Sequence, residues 1–210
     1  MAKSAVNSAP APVDTLTPRG RKTRDAVLDA ARRVFETVGF LDARVEQIAQ
    51  EAGVSYGTFY RYFESKDDVF GELSTRLFED MHRREQTAAD LSPAEKLIAS
   101  NRAYYRAYRR NAPMMAIIEQ VATINDEFRL LRQRHRHLLI DRTARAIARW
   151  QSDGLVRADL DPELAARAMA AMVDHTLYLW LIQGEDADEQ AVLDTLDRMC
   201  VGALGLDRRP

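Results

Sequence analysis

Three tyrosines, a threonine and a glycine crowd one short stretch of this 210-residue chain: Tyr56, Gly57, Thr58, Tyr60 and Tyr62, with Ser55 just before them. A solvated helix face favours Glu, Lys and Gln, and tyrosine and threonine lower helix propensity there. Their hydroxyls and methyl groups do suit phosphate oxygens and thymine methyls. A glycine inside a helix costs up to about 1 kcal/mol against alanine. That cost makes sense where a second backbone, such as that of DNA, comes very close. Lys66 opens a later helix, where the helix dipole disfavours a cation by a few tenths of a kcal/mol. A phosphate shared by the ammonium and the first amides of the helix would explain it. Arg44 stands in a similar place at the start of an earlier helix. The chemistry these residues point to is recognition of a nucleic-acid polyanion.

Such side chains need a rigid mount. Val27, Ala31, Val34, Phe35 and Val38 recur at helical spacing and predict a first helix over Thr23–Thr37, closed by Gly39. A second helix covers Val45–Glu51, with Val45, Ile48, Ala49 and Ala52 inward. Gly53-Val54-Ser55 then makes a tight turn: Gly53 can take the left-handed conformation, and Ser55 caps the helix that follows. That helix, about Tyr56 to Phe63, gives Phe59 and Phe63 to the core. Helix, three-residue turn, short helix is the helix-turn-helix layout, whose second helix enters the major groove while the first braces it. Ser65 with Asp68 makes a capping-box-like start for a fourth helix, running to about Gln86.

Residues 44–70, RVEQIAQEAGVSYGTFYRYFESKDDVF, resemble the signature of the TetR family of ligand-responsive regulators, with an I-A-x-x-A-G-V-S turn, a G-T-Φ-Y-x-x-F helix and a Lys-initiated helix four. The likeness runs over about 45 residues from helix one to helix four. It implies a groove-facing set of Tyr56, Gly57, Thr58, Tyr60 and Tyr62 beside Ser55, with phosphates held by Lys66 and Tyr60. Arg44 stands where the family often has a capping Thr or Ser, which implies a longer-reaching phosphate contact. The basic segment Arg19-Gly20-Arg21-Lys22 resembles N-terminal extensions that reach the neighbouring minor groove.

The rest of the chain sets the frame. Residues 1–18, rich in Ala, Pro and Ser without periodicity, read as a disordered tail; 19–66 as the DNA-binding domain; 67–210 as a helical effector-binding and dimerisation domain. Further helices are predicted at about 93–110, 114–124, 127–152, 162–183 and 188–204, and no alternating β-branched run predicts a strand. The fold class is therefore all-α. A composition of 46% hydrophobic and 30% charged residues is ordinary for a globular chain that buries a core without disulfides. The first 66 residues carry 10 Lys+Arg against 8 Asp+Glu, an excess too mild to argue nucleic-acid binding without the local arrangement.

The last two helices offer long apolar faces: Leu164, Ala168, Ala171 and Leu179, then Val192, Leu196, Met199 and Ala203. In the family such helices pair across a two-fold axis. The resemblance therefore implies a homodimer, recognition helices about 34–36 Å apart and a palindromic double-stranded operator. Tyr104, Tyr105, Met115, Ile118, Met172, His175, Tyr178 and Trp180 are candidates for an apolar, aromatic-lined pocket taking a hydrophobic or amphipathic effector. His175 reads either as a hydrogen-bonded core or interface histidine or as a polar anchor in that pocket. Arg102, Arg106, Arg109 and Arg110 read either as a solvated strip or as a seat for an acidic effector headgroup.

His135 and His137 lie two apart and cannot both face one metal from a helix. No G-x-S-x-G, Gly-rich phosphate loop or H-E-x-x-H is present, so no enzyme, metal or cofactor is expected. A single cysteine, Cys200, suits a reducing compartment and reads as core. With no 18-residue apolar run and no signal pattern, the expected place is the cytoplasm, away from the membrane. Two other readings remain: a helical small-molecule-binding protein with a vestigial DNA-binding domain, and an architectural DNA binder without an effector.

Overall fold

The computed structural model describes residues 15–83 and 91–206, and among these the chain is helical without strands. Helices α1 (Pro18–Asp42), α2 (Val45–Glu51), α3 (Tyr56–Tyr60), α4 (Lys66–His82), α5 (Pro93–Arg110), α6 (Ala112–Ile124), α7 (Asp126–Ser152), α8 (Pro162–Leu181) and α9 (Glu189–Leu204) follow in order. The chain divides into two compact units: residues up to Arg76 with Ile117–Phe128, and Leu77–Ala116 with the chain from Arg129 onward.

The first unit is built on aromatic packing. Phe35, Phe40, Phe70 and Phe128 meet edge-on or tilted, with ring centroids 4.6–5.9 Å apart. Val27, Leu28, Ile48, Phe59 and Phe63 complete the core and are all but fully buried. A bidentate ion pair from Arg24 to Glu72 joins α1 to α4, and the same guanidinium lies 4.6 Å from the Phe63 ring.

Helix α1 begins at Pro18, five residues earlier than its apolar spacing predicts. Thr17 Oγ1 accepts from the Gly20 amide at 3.1 Å, and proline at the first helical position needs no partner for its nitrogen. Arg19, Arg21 and Lys22 are thus exposed on the first turns of a helix rather than on an extended arm. Leu16 is buried, so order begins inside the expected tail; residues 1–14 of that tail lie outside the described residues. Gly39, at φ 78° and ψ 170°, breaks α1 where the sequence places its end. Val38 is 38% exposed, however, and not part of the core. Helix α3 stops at Tyr60, short of Phe63. The end of the fourth helix expected near Gln86 falls outside the described residues.

The second unit holds α5, α8 and α9 with most of α7. Capping fixes the helix starts: Ser92 and Glu95 exchange the two bonds of a capping box on α5, while Asp161 and Asp188 cap α8 and α9. Its centre contains a charged knot. Asp174 accepts from Tyr104 Oη at 2.7 Å, Arg132 at 2.7 Å and Arg136 at 2.9 Å. Cys200 is fully buried.

Candidate nucleic-acid interface

Helix α3 is held from beneath and left open above. Phe59 is fully buried and anchors it. Gly53, at φ 65°, makes the turn from α2, and Val54 donates to the Ala49 carbonyl at 2.9 Å. Ser55 Oγ accepts from the Thr58 amide at 3.1 Å and lies 2.8 Å from Thr58 Oγ1. Arg33 ties α1 to α2 through Glu51 at 2.7 Å.

Ser55, Tyr56 and Gly57 are exposed, and Thr58 and Tyr60 half-buried. Tyr56 is 49% exposed, a large apolar body on the surface. Its hydroxyl lies 3.0 Å from that of Tyr60, and the rings meet edge-on at 4.8 Å. The hydrogen bond to Tyr56, aided by burial, pushes the Tyr60 phenol up to about 12. Both phenols therefore stay protonated and able to donate at neutral pH. Gly57 has no positive φ, and a methyl group added to it would meet nothing within 4 Å. Nothing in the protein itself requires glycine there.

Arg44 is the exposed N-cap of α2; Gln47 folds back to accept from its amide at 2.8 Å. Arg61, which sequence reasoning left out of the site, is exposed at the C-cap of α3. Two expected contacts are corrected. Tyr62 is only 6% exposed, because the turn after Tyr60 swings it inward near Gly20. Lys66 does not present its ammonium to solvent: Nζ donates to the carbonyls of Phe40 at 2.7 Å, Leu41 at 3.1 Å and Ala43 at 2.9 Å.

The family model for bacterial regulatory proteins of the tetR family matches residues 27–73, spanning this helix-turn-helix. Along the longer chain, similarity extends to the fatty acid metabolism regulator protein of Bacillus subtilis, 22% identical with 85% of this chain and 93% of that one covered. TtgR of Pseudomonas putida is 26% identical, covering 80% and 84%. The structure of the fatty acid degradation regulator FadR from Bacillus halodurans superposes with a TM-score of 0.72 at 25% identity, over 93% of this chain and 100% of that chain. The chain belongs to the TetR family. It is a DNA-binding, helix-turn-helix regulator of transcription, and the relatives that it matches are regulators rather than enzymes.

In this TetR-family chain the expected effector residues do not converge. Tyr104 is tied to Asp174 and lines a cavity of only about 10 Å³, room for one water. Tyr105 stacks on Trp180 at 5.6 Å, and an exposed His175 stacks on Tyr178 at 5.9 Å. Met115 is packed in the core of the second unit and Ile118 in that of the first, while Met172 is half-buried. The larger enclosed space of the second unit is a cavity of about 280 Å³ lined from α5 and α7. Its signal in the sequence is size: Ala99, Ser100 and Ala103 on one helix share it with Thr143 and Ala146 on the other, and small side chains leave volume.

The arginine strip of α5 is neither solvated nor a ligand seat. Arg102 pairs with Asp194 at 2.6 Å and Asp197 at 2.7 Å, Arg109 with Glu189 at 2.6 Å, and Arg110 with Asp80 at 3.3 Å. Of the expected dimer face, Leu164 is 65% and Met199 53% exposed, and Ala168, Ala171 and Ala203 are exposed with them. Leu179 and Val192 are half-buried. Leu196 is buried within its own unit and leaves the set. Among the described residues no helix is long and apolar enough to cross a membrane.

Proposed function

We propose that this regulator is a cytoplasmic repressor, not an enzyme, that binds a palindromic operator as a homodimer and is released by a hydrophobic or amphipathic small molecule. The observation that carries the DNA-contact assignment is the outer face of α3. Tyr56, Gly57, Thr58 and Tyr60 stand on a helix pinned by Phe59, and no neighbour in the chain explains the glycine. On this reading Tyr56 and Tyr60 donate to phosphates and Thr58 meets a base edge, while Gly57 lets the DNA backbone close in. Exposed Arg19, Arg21, Lys22, Arg44 and Arg61 add sequence-independent attraction.

An apolar stripe as exposed as Leu164 and Met199 on two neighbouring helices supports pairing of α8 and α9 with a second copy. The effector part of the reading is supported by the 280 Å³ cavity and by relatives named for fatty acid metabolism. An effector that binds the released form better than the DNA-bound form shifts the population away from DNA.

The test is selection of the purified protein against random duplexes at about 150 mM salt, where non-specific binding is weakened. A palindromic consensus is expected. Enrichment of no sequence would overturn the reading in favour of a vestigial DNA-binding domain, and sequence-tolerant binding in favour of an architectural role. For the dimer, Leu164→Glu with Met199→Glu is expected to yield monomers by sedimentation. An unchanged dimer mass would place the interface elsewhere.

A further inference from the structure

We propose that the cavity lined from α5 and α7 is a receptor for a small amphipathic anion, with a carboxylate or phosphate head held by cations and an apolar body against Trp150 and Leu97. The proposal rests on the effector reading above only for its consequence, release of DNA; binding itself is independent of it. The cavity measures about 280 Å³, at the lower end of the roughly 300–1,000 Å³ of small-molecule sites.

Its charge is one-sided. Arg83, Lys96, Arg142 and Arg149 line it, and no aspartate or glutamate does among the described residues. In a chain with 32 acidic and 30 basic residues this is a marked departure from mixture. Elsewhere in the same unit arginines sit against carboxylates, as Arg102 does between Asp194 and Asp197. One edge of the Arg142 guanidinium is fixed at the wall by donation to the His82 carbonyl at 3.1 Å.

Like charges around a partly enclosed space repel, and an anion bound among them removes that repulsion while gaining charge-assisted hydrogen bonds. A bare inorganic ion would use only the cations. Leu97 is buried and Trp150 half-buried at the same cavity, and their apolar surface favours a ligand with a hydrocarbon or aryl body.

The chain has two tryptophans, so full-length protein carrying Trp180→Phe reports on Trp150 alone. Its fluorescence is followed, without DNA, against decanoate, decyl phosphate, decanol and decyltrimethylammonium below their micellar concentrations. Decanoate and decyl phosphate are expected to give saturable changes, the tighter of the two naming the head group. Decanol should bind about tenfold more weakly, and the cation should give no saturable change. Arg149→Ala and Lys96→Ala should each weaken decanoate about tenfold, the cost of a charge-assisted hydrogen bond, with Arg149→Lys retaining most of the affinity. Equal affinity for decanol and decanoate, indifference to both alanine variants, or no saturable response to either anion would overturn the proposal. Operator release is scored separately. Decanoate that binds without releasing DNA sinks its role as an effector and leaves the cavity assignment standing. Operator binding with no decanoate site does the reverse.

Discussion

The Lys66 ammonium lies 4.6 Å from the centre of the Phe40 ring and donates to the Phe40 carbonyl at 2.7 Å. With its bonds to Leu41 and Ala43 it caps the chain leaving α1, beyond the break at Gly39. Terminal carbonyls of a helix have no partner within it, and a lysine supplies both donors and the favourable charge. A cation disfavoured at the start of its own helix is thus well placed against the end of another.

Lys66→Met should therefore act on stability, by about 2–4 kcal/mol, since charged hydrogen bonds contribute roughly 1.5–3 kcal/mol each and are not additive. The melt of the full chain measures it. The decisive readout is the salt dependence of operator binding by the folded fraction. A lost phosphate contact lowers the slope of log K on log salt by about 0.9, whereas a capping lysine leaves it unchanged. A reduced slope would restore Lys66 to the DNA interface.

Tyr56 and Tyr60 give a second expectation. The bond between them holds Tyr60 in its neutral form, so ionisation is delayed from the ordinary 10.0 to about 12. The contribution is present below pH 10 and lost as pH rises through about 12. Tyr56→Phe should bring the Tyr60 phenolate absorbance back toward lower pH. An unchanged titration would mean that the pair does not form in solution. Tyr60→Phe should weaken operator binding by about 0.5–1.5 kcal/mol, one neutral hydrogen bond.

Acid should loosen the second unit in two stages. Burial lowers His82 from 6.5 to about 4, helped by His135, Arg142 and Arg132. A depressed histidine favours the neutral form, so its contribution is complete above pH 6.5 and lost as pH falls toward about 4. Burial works to raise Asp174, but Arg132, Tyr104 and Arg136 overcome it and hold the carboxyl below 3.8. Its share is lost only below that pH. Melting temperatures should fall on acidification through the first window, and His82→Gln should flatten that fall. A variant with the parent's pH profile would rule out His82 as the source. Asp174→Ala should destabilise by roughly 3–5 kcal/mol, because it leaves buried guanidinium charge uncompensated.

Much of this was legible in the sequence because local signals and global fold agree. The turn at Gly53-Val54-Ser55 has its glycine at positive φ and its serine as cap, and α2 and α5 match their predicted bounds. What failed depended on partners distant in the chain. Lys66 meets residues 23 to 26 positions earlier, and Arg102 meets carboxylates 92 and 95 positions later. Tyr62 turns inward because α3 stops at Tyr60, a boundary that propensity does not fix. The effector site was sought where large aromatic residues gather. Those residues pack against one another, as Tyr105 does on Trp180, and the space lies where side chains are small.

Gly57 separates the demands of the fold from those of DNA. It lies inside α3 with ordinary helical φ and open space around the position of a β-carbon. For the protein alone, Gly57→Ala should be neutral or stabilising by up to about 1 kcal/mol, through better helix propensity and a less flexible unfolded chain. For the complex, the added methyl group stands where the DNA backbone is expected to approach, and operator affinity should fall by about tenfold or more, the cost of overpacking a close contact. Thermal melting and fluorescence anisotropy on the same preparation read the two effects with opposite sign. A variant that is more stable yet binds operator as tightly as the parent would show that DNA does not come close to this face, and that the exposed tyrosines of α3 act elsewhere.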